Sequence, residues 1–235
     1  MSKGMNNQEI QGTTSTADTA PVHPFVIRPY YERDGITIYN ADCRKVLPFL
    51  GTFDLLLTDP PYGITNKTKR GGVRSPGKYH TRSELWDVPP DRETIGMMLD
   101  AARNGIIWGG NYFADMLPPT HGWLYWHKDQ PLPNRADGEL AWTTFDAPLR
   151  AKFHRYESGA GRIHDTQKPV AVMAWCLKLA GDIESVVDTF VGSGTTLVAA
   201  KLAGIKAVGI EINEKYCEAA VKRLAQGVLP FDEAV

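Results

Sequence analysis

Ser185-Val-Val-Asp-Thr-Phe-Val-Gly-Ser-Gly-Thr-Thr196 reads as a strand, a tight turn and the start of a helix. Val186 and Val187 lie in an unbroken apolar run, as expected for a strand buried on both faces of a parallel sheet. Gly192 and Gly194 let the backbone bend sharply and come close to a ligand at the carboxyl edge of that sheet. Downstream, an Ala-rich helix is expected at 195–202, closed by Gly204. The next strand carries Glu211 near its end, about twenty residues after Gly192, where a carboxylate can hold ribose hydroxyls. A bare Gly-x-Gly turn is also a common tight connection, so this stretch gives a fold more firmly than a ligand. It does speak against a dinucleotide. The third glycine of a pyrophosphate-binding turn would fall at Leu197, a bulky residue, which favours a nucleoside without phosphates.

Working outward, short apolar runs alternate with helical stretches, the pattern of an α/β sheet. Strands are expected at 36–40, 53–58, 105–108, 123–127, 140–145, 152–156, 185–189 and 206–212. Asn213 is placed to cap a last helix running to about Gln226 and stopped by Gly227.

The second informative stretch is Leu57-Thr-Asp-Pro-Pro-Tyr-Gly63, leaving a buried strand at the same edge of the sheet. An aromatic exocyclic amine is a poor nucleophile because its lone pair is delocalised into the ring. Acceptors that gather both N–H bonds make the nitrogen more tetrahedral and free that lone pair. Asp59 can supply one acceptor and the carbonyl of Pro60 another. Pro60 and Pro61 fix the local path and bring no N–H groups of their own. Tyr62 offers a flat face for an extruded base. The plainer reading is a Pro-rich turn with Asp59 as turn-former. The glycine turn and Glu211 in the same chain argue against it.

These residues resemble the amino-methyltransferases of DNA, which make N6-methyladenine or N4-methylcytosine. Thr58–Tyr62 is similar to their catalytic motif, and the segment from Asp188 to Thr196 to their cofactor loop. His164-Asp-Thr-Gln-Lys-Pro169 resembles a third motif, usually with Pro where Asp165 stands, that lines the methionine end of the cofactor site. Ile38-Tyr-Asn-Ala-Asp42 matches the segment whose acidic residue meets the cofactor's adenine. The likeness spans roughly 36–224, and the stretches 107–113 and 139–144 resemble members carried by bacteriophages.

The resemblance implies a Rossmann-like class I fold, with a mostly parallel sheet, helices on both faces and S-adenosylmethionine as cofactor. It implies Asp59, Pro60, Pro61 and Tyr62 as the catalytic loop. Cofactor contacts are implied at Asp42, at Thr166, Gln167 and Lys168, at Asp188, Phe190, Gly192, Gly194 and Thr195, and at Glu211 and Ile212. The catalytic loop precedes the cofactor loop, resembling the circularly permuted beta group. The first and last strands should then be neighbours and the termini close. Asp at position 59 is usual in the adenine enzymes of the family, and Ser in the cytosine enzymes, so N6 of adenine is the expected target, within DNA methylation of the restriction-modification kind. Methylation of a protein glutamine or an RNA base is the competing enzymatic reading. Those relatives usually have Asn at the Asp59 position and place the cofactor loop first. A DNA-binding protein with a dead methyltransferase fold is the reading from another class.

The rest of the chain sets bounds. With 235 residues, 43% of them hydrophobic, it can bury one sizeable core. Residues 1–24 are expected to be a disordered polar tail. Residues 25–235 are expected to form a single catalytic domain with short recognition insertions at about 65–90 and 128–160. No signal peptide or membrane span is legible, and Cys43, Cys176 and Cys217 suit buried thiols in a reducing cytoplasm. The histidines have no metal-ligand spacing. The net charge of −1 gives no overall attraction to nucleic acid, so contacts to double-stranded DNA must be local. Lys67, Lys69, Arg70, Arg74, Lys78 and Arg82 lie in one Gly- and Ser-containing loop with no acidic residue among them, and are the expected phosphate contacts. The tryptophans at 108, 123, 126 and 142 are expected in the core. Glu139 is assigned only surface or structural duty, and a homodimer is left open.

Overall fold

The computed structural model describes residues 27–64, 87–129, 136–155 and 167–226. Nine strands form one sheet: β1 (Tyr31–Arg33), β2 (Ile36–Asn40), β3 (Phe53–Thr58), β4 (Ala102–Trp108), β5 (Trp123–His127), β6 (Gly138–Thr143), β7 (Arg150–Phe153), β8 (Ser185–Asp188) and β9 (Lys206–Glu211). Their order is β1-β2-β9-β8-β3-β4-β6-β5-β7. The run from β2 to β4 is parallel throughout, and β6 enters antiparallel beside β4. The expected adjacency of the first and last strands of the family's sheet is present, with Asn40 opposite Glu211 in the β2–β9 pair.

The central strands are apolar on both faces, as their sequences suggested. Leu55 and Leu57 of β3 and Ile106 of β4 join one core layer. That layer includes Val172 and Met173 of α3 (Val170–Leu179), Leu197 and Val198 of α4 (Thr195–Ala203), and Ala220 and Leu224 of α5 (Glu214–Ala225). Leu56 and Ile107 point the other way, toward Val46 of α1 (Cys43–Val46) and Ile95 and Met98 of α2 (Arg92–Asp100). Helices thus cover both faces, the Rossmann-like methyltransferase arrangement.

Helix ends follow local chemistry. Asp91 caps α2 by accepting from the Thr94 amide at 2.8 Å, and Asn213 caps α5 through the Lys215 amide at 3.1 Å. The left-handed Gly204 ends α4.

Differences from expectation are at boundaries and edges. β4 begins at Ala102, three residues before the apolar run, because Phe53 pairs with Ala102. β6 and β7 are shifted toward the amino terminus of the expected 140–145 and 152–156, since they are set by pairing with β5. β1 was not expected. Tyr31-Glu-Arg33 lacks an apolar face of its own and is held by pairing with β2 around Asp34 and Gly35. Trp108, Trp126 and Trp142 are buried, as are the three cysteines. No helix among the described residues is long and apolar enough to cross a membrane.

The bulk of Leu197 at the helix–sheet contact is accommodated from the opposite side. Gly209 of β9 stands where a Cβ would lie 2.8 Å from the Leu197 Cδ1 and 2.4 Å from the Val191 Cγ2. The small residue that a dinucleotide fold carries on its helix is carried here on the neighbouring strand.

Candidate active site

The chain leaves β8 toward α4 on one face of the sheet and leaves β3 toward α2 on the other. β8 and β3 are neighbours, so their loops diverge at the carboxyl edge and open a crevice, the usual ligand position in such sheets. The two strand ends are tied by the Thr58 hydroxyl, which donates to Asp188 Oδ1 at 2.8 Å. Asp188 also accepts from the Phe190 amide at 3.1 Å. Burial pushes its carboxyl up to about 6, against these hydrogen bonds.

The glycine loop has two differently employed glycines. Gly192 (φ +51°) faces open space, with nothing within 4 Å of a would-be Cβ. Gly194 (φ +82°) faces Ala220, whose Cβ would lie 2.7 Å from one on Gly194. One opens the loop to the cleft, and the other lets α4 start hard against α5. Arg223 of α5 braces the turn from behind, donating to the Ser193 carbonyl at 2.7 Å and the Thr195 hydroxyl at 3.1 Å. Thr195 is therefore engaged on the protein side. Glu211 accepts from the Gly192 amide at 2.9 Å through Oε2 and from the Asn213 amide at 2.8 Å through Oε1. Burial still raises its pKa. Each oxygen keeps a lone pair, so the carboxylate both pins the loop and faces the cleft with acceptor capacity for a diol. The residues fit a nucleoside cofactor.

Asp42 caps α1 and pairs with Arg44, Nη2 to Oδ2 at 2.5 Å, which holds its carboxyl low. Asp42, Phe190, Gln167 and Ile212 all line the same cleft. Thr166 and the six basic residues from Lys67 to Arg82 lie outside the described residues. The feet of that basic segment are joined, since the Gly63 amide donates to Asp87 Oδ1 at 2.8 Å.

Across the crevice, Asp59 follows β3 with both oxygens engaged. Tyr62 donates its hydroxyl to Oδ1, and the Lys168 ammonium lies 2.6 Å from Oδ2. Tyr62 is not the open platform expected. Its ring stacks on Tyr112 with centroids 4.8 Å apart and planes 17° from parallel. Burial, then the nearby Asp59 charge, pushes its phenol well above the ordinary range.

Lys168, implied by its motif as a cofactor contact, instead has its ammonium among the catalytic-loop candidates. It sits 2.9 Å from Glu139 Oε2, 3.1 Å from the Tyr62 hydroxyl and 5.2 Å from the Trp108 ring centroid. Glu139 Oε1 in turn meets the Lys128 ammonium at 2.8 Å. Glu139 is thus not a surface residue. Its side chain is 24% exposed and belongs to a four-charge cluster on Asp59. Burial alone would raise its carboxyl, but Lys168 and Lys128 hold it down at about 2. Burial likewise opposes the Lys168 charge, and Asp59 and Glu139 overcome it. Sequence patterning could not find Glu139, because its partners lie 11 and 29 positions away on other elements.

The cleft running from Glu211 past Asp188 to Asp59 and Tyr112 measures about 1330 Å³, more than one small ligand usually fills. No group of side chains suited to a metal ion occurs among the described residues. Fold and cleft together define a Rossmann-like protein with a site at the carboxyl edge of its sheet suited to a nucleoside cofactor.

Comparison with known proteins narrows the class. Residues 126–222 match the family model described as DNA methylase, of the N6/N4 methyltransferases. The type II methyltransferase M2.LlaDCHI of Lactococcus lactis subsp. cremoris is 27% identical over 258 aligned positions, covering 85% of this chain and 93% of the relative. The type II methyltransferase M.ScaI of Streptomyces caespitosus is also 27% identical, covering 84% of each chain. The crystal structure of the M1.HpyAVI–SAM complex superposes with a TM-score of 0.58 at 25% identity, over 81% of this chain and 99% of that one. Over most of its length the chain is similar to DNA amino-methyltransferases, which use S-adenosylmethionine.

Glu211→Ala should weaken S-adenosylmethionine binding by roughly 1–3 kcal/mol, the cost of losing charge-assisted hydrogen bonds and loosening the Gly192 amide. Calorimetry on the folded variant measures this, and unchanged affinity would remove Glu211 from the cofactor site.

Proposed function

We propose that the chain methylates N6 of adenine in double-stranded DNA, on a base turned out of the helix, with Asp59 as the group that acts on the amine. The observation that carries this reading is Asp59 itself, fixed by Tyr62 and Lys168 at the end of β3, across the crevice from the glycine loop. S-adenosylmethionine bound there supplies an electrophilic methyl group, its sulfur keeping the electron pair of the broken bond. Asp59 accepts one amine N–H and the Pro60 carbonyl the other, drawing the lone pair out of the ring. As the nitrogen gains its bond to carbon it becomes cationic, and the proton it must lose passes along its hydrogen bond to the Asp59 carboxylate and on to solvent. The Asp59 carboxylate stabilises that charge where it develops. Asp188, Gly192 and Glu211 would hold the cofactor from the other wall. Stacking of the base on Tyr62 requires Tyr112, 47% exposed on a short turn, to give way. Adenine is favoured over cytosine by the aspartate at position 59, in keeping with the family pattern that the motif resembles.

The reading is tested by incubating unmethylated duplex DNA with the protein and labelled cofactor, then resolving the methylated bases. N6-methyladenine is expected. N4-methylcytosine alone would overturn the base, and no methylated base would overturn the activity.

The basic loop is the proposed phosphate contact, its feet joined beside the catalytic loop by Gly63 and Asp87. Neutralising Lys67, Lys69 and Arg70 together should weaken DNA binding and leave cofactor affinity alone. The salt dependence of log K should become shallower by roughly 0.9 per lost phosphate contact. An identical salt slope in the triple variant would exclude contact between those residues and phosphate.

A further inference from the structure

Lys168 is a single buried cation shared by two carboxylates. Its side chain is 3% exposed, and its ammonium lies 2.6 Å from Asp59 and 2.9 Å from Glu139. Glu139 is brought there by β6, where it pairs with Trp126 of β5. Lys128, just beyond β5, reaches the other oxygen of the same carboxylate at 2.8 Å. Burying four charges is costly, and a packed apolar cluster would stabilise a core as well or better. This cluster instead sits directly on the aspartate proposed to touch the substrate amine.

We infer that Glu139 is a positioning residue for methyl transfer, acting through Lys168 to orient Asp59 and preserve its negative charge. The inference rests on the role proposed above for Asp59. Lys168 and Tyr62 hold one carboxylate oxygen each, which fixes the carboxylate plane and leaves a lone pair on each oxygen for an incoming amine. A lysine paired with Asp59 alone would neutralise it and weaken it as an acceptor. Glu139 takes part of the Lys168 charge, so the Asp59–Lys168–Glu139 triad carries one net negative charge next to the amine. Lys128 offsets Glu139 from the far side, so that Glu139 can remain ionised in this partly buried position.

The groups facing Lys168 are Asp59 and Tyr62 after β3, Glu139 on β6, Lys128 after β5, the Trp108 ring on β4 and Cys176 on α3. Removing the Glu139 charge leaves two buried ammonium groups with one carboxylate between them. The Lys168 pKa must then fall. A neutral Lys168 holds Asp59 through a weaker hydrogen bond, so the orientation of Asp59, and methyl transfer with it, should be lost at a lower pH than in the unaltered enzyme.

The experiment compares single-turnover methyl transfer by the full chain, Glu139→Gln, Glu139→Asp and Lys128→Gln across pH, with S-adenosylmethionine affinity measured alongside. For Glu139→Gln the rate at neutral pH should fall about tenfold or more, as for other lost preorganised charges. A new alkaline limb should appear at lower pH than any in the unaltered chain, with cofactor affinity essentially retained. Glu139→Asp should restore part of the rate and return the limb toward higher pH, without reaching its position in the unaltered chain. Lys128→Gln should show no such limb, because it removes a positive neighbour. If the unaltered chain transfers methyl groups but Glu139→Gln shows no alkaline limb, or the same limb as Lys128→Gln, the inference is overturned. If the unaltered chain transfers none, it is the proposed function that fails. Circular dichroism at each pH separates unfolding from loss of the limb. A Glu139→Gln protein that fails to fold passes the decision to Glu139→Asp, whose longer contact to Lys168 should still move the limb to lower pH than in the unaltered chain.

Discussion

Asp59→Ala should abolish methyl transfer, by on the order of a thousandfold or more, while leaving most cofactor binding intact. In the proposed reaction the carboxylate acts on a nitrogen whose charge and geometry change, so its contribution grows toward the transition state. Its removal has a second effect visible in the structure. Lys168 loses its 2.6 Å partner but keeps Glu139 at 2.9 Å, so the buried ammonium is not stranded and the fold should persist with a lowered melting temperature. Asp59→Asn keeps an acceptor oxygen but no charge, and should be slow rather than weak-binding. Single-turnover transfer to unmethylated duplex, with cofactor affinity measured in parallel, checks all three statements. A near-normal rate for Asp59→Ala would remove Asp59 from the chemistry.

Gly109→Ala should be the most damaging single methyl group that can be added near the site. Gly109 follows β4 with φ +69°, a region that costs an alanine about 1–2 kcal/mol. The added Cβ would lie 2.0 Å from Tyr62 Cε1 and 2.5 Å from its Cζ, far inside contact distance. Tyr62 has little room to retreat, with Tyr112 stacked on one face and Phe113 edge-on at 6.2 Å. The catalytic loop itself must shift, carrying the hydroxyl away from Asp59. A displacement of that size is expected to lower methyl transfer by roughly a hundredfold, with cofactor affinity little changed because the glycine loop is on the other wall. Transfer within a few-fold of normal would show that the Tyr62 position is not critical.

The parts of the molecule legible in the sequence are those where one segment carries its own explanation. The unbroken apolar runs at Leu55–Leu57 and Val186–Val187, the Gly192–Gly194 turn and the Asn213 cap are local statements, and the sheet bears them out. The neighbouring of β2 and β9 followed from motif order alone. What stayed illegible depends on long-range pairing. β1 has no alternating apolar pattern, and is held by pairing with β2 and by Tyr31 against the core. Lys168 was assigned to the cofactor by its motif, yet its ammonium extends to Asp59, 109 positions away. Glu139 carried no catalytic signal, since a glutamate near the start of a strand is ordinarily solvated. The stacking of Tyr112 on Tyr62 likewise joins two loops that only the fold brings together.

The sheet order also bears on how the protein is made. β3, the strand that ends at Asp59, finds one neighbour, β4, soon after synthesis. Its other neighbour is β8, with Leu55 opposite Val186 and Leu56 opposite Val187. At ordinary ribosomal speeds the second edge of β3 waits on the order of ten seconds for its partner to be translated. During that interval Leu55, Leu56 and Leu57 present an apolar strand with unpaired backbone groups, a template for association between nascent chains. A permuted order that places the proposed amine acceptor early and the proposed cofactor cradle late therefore ties soluble yield to how long an unfinished chain can be kept from its neighbours.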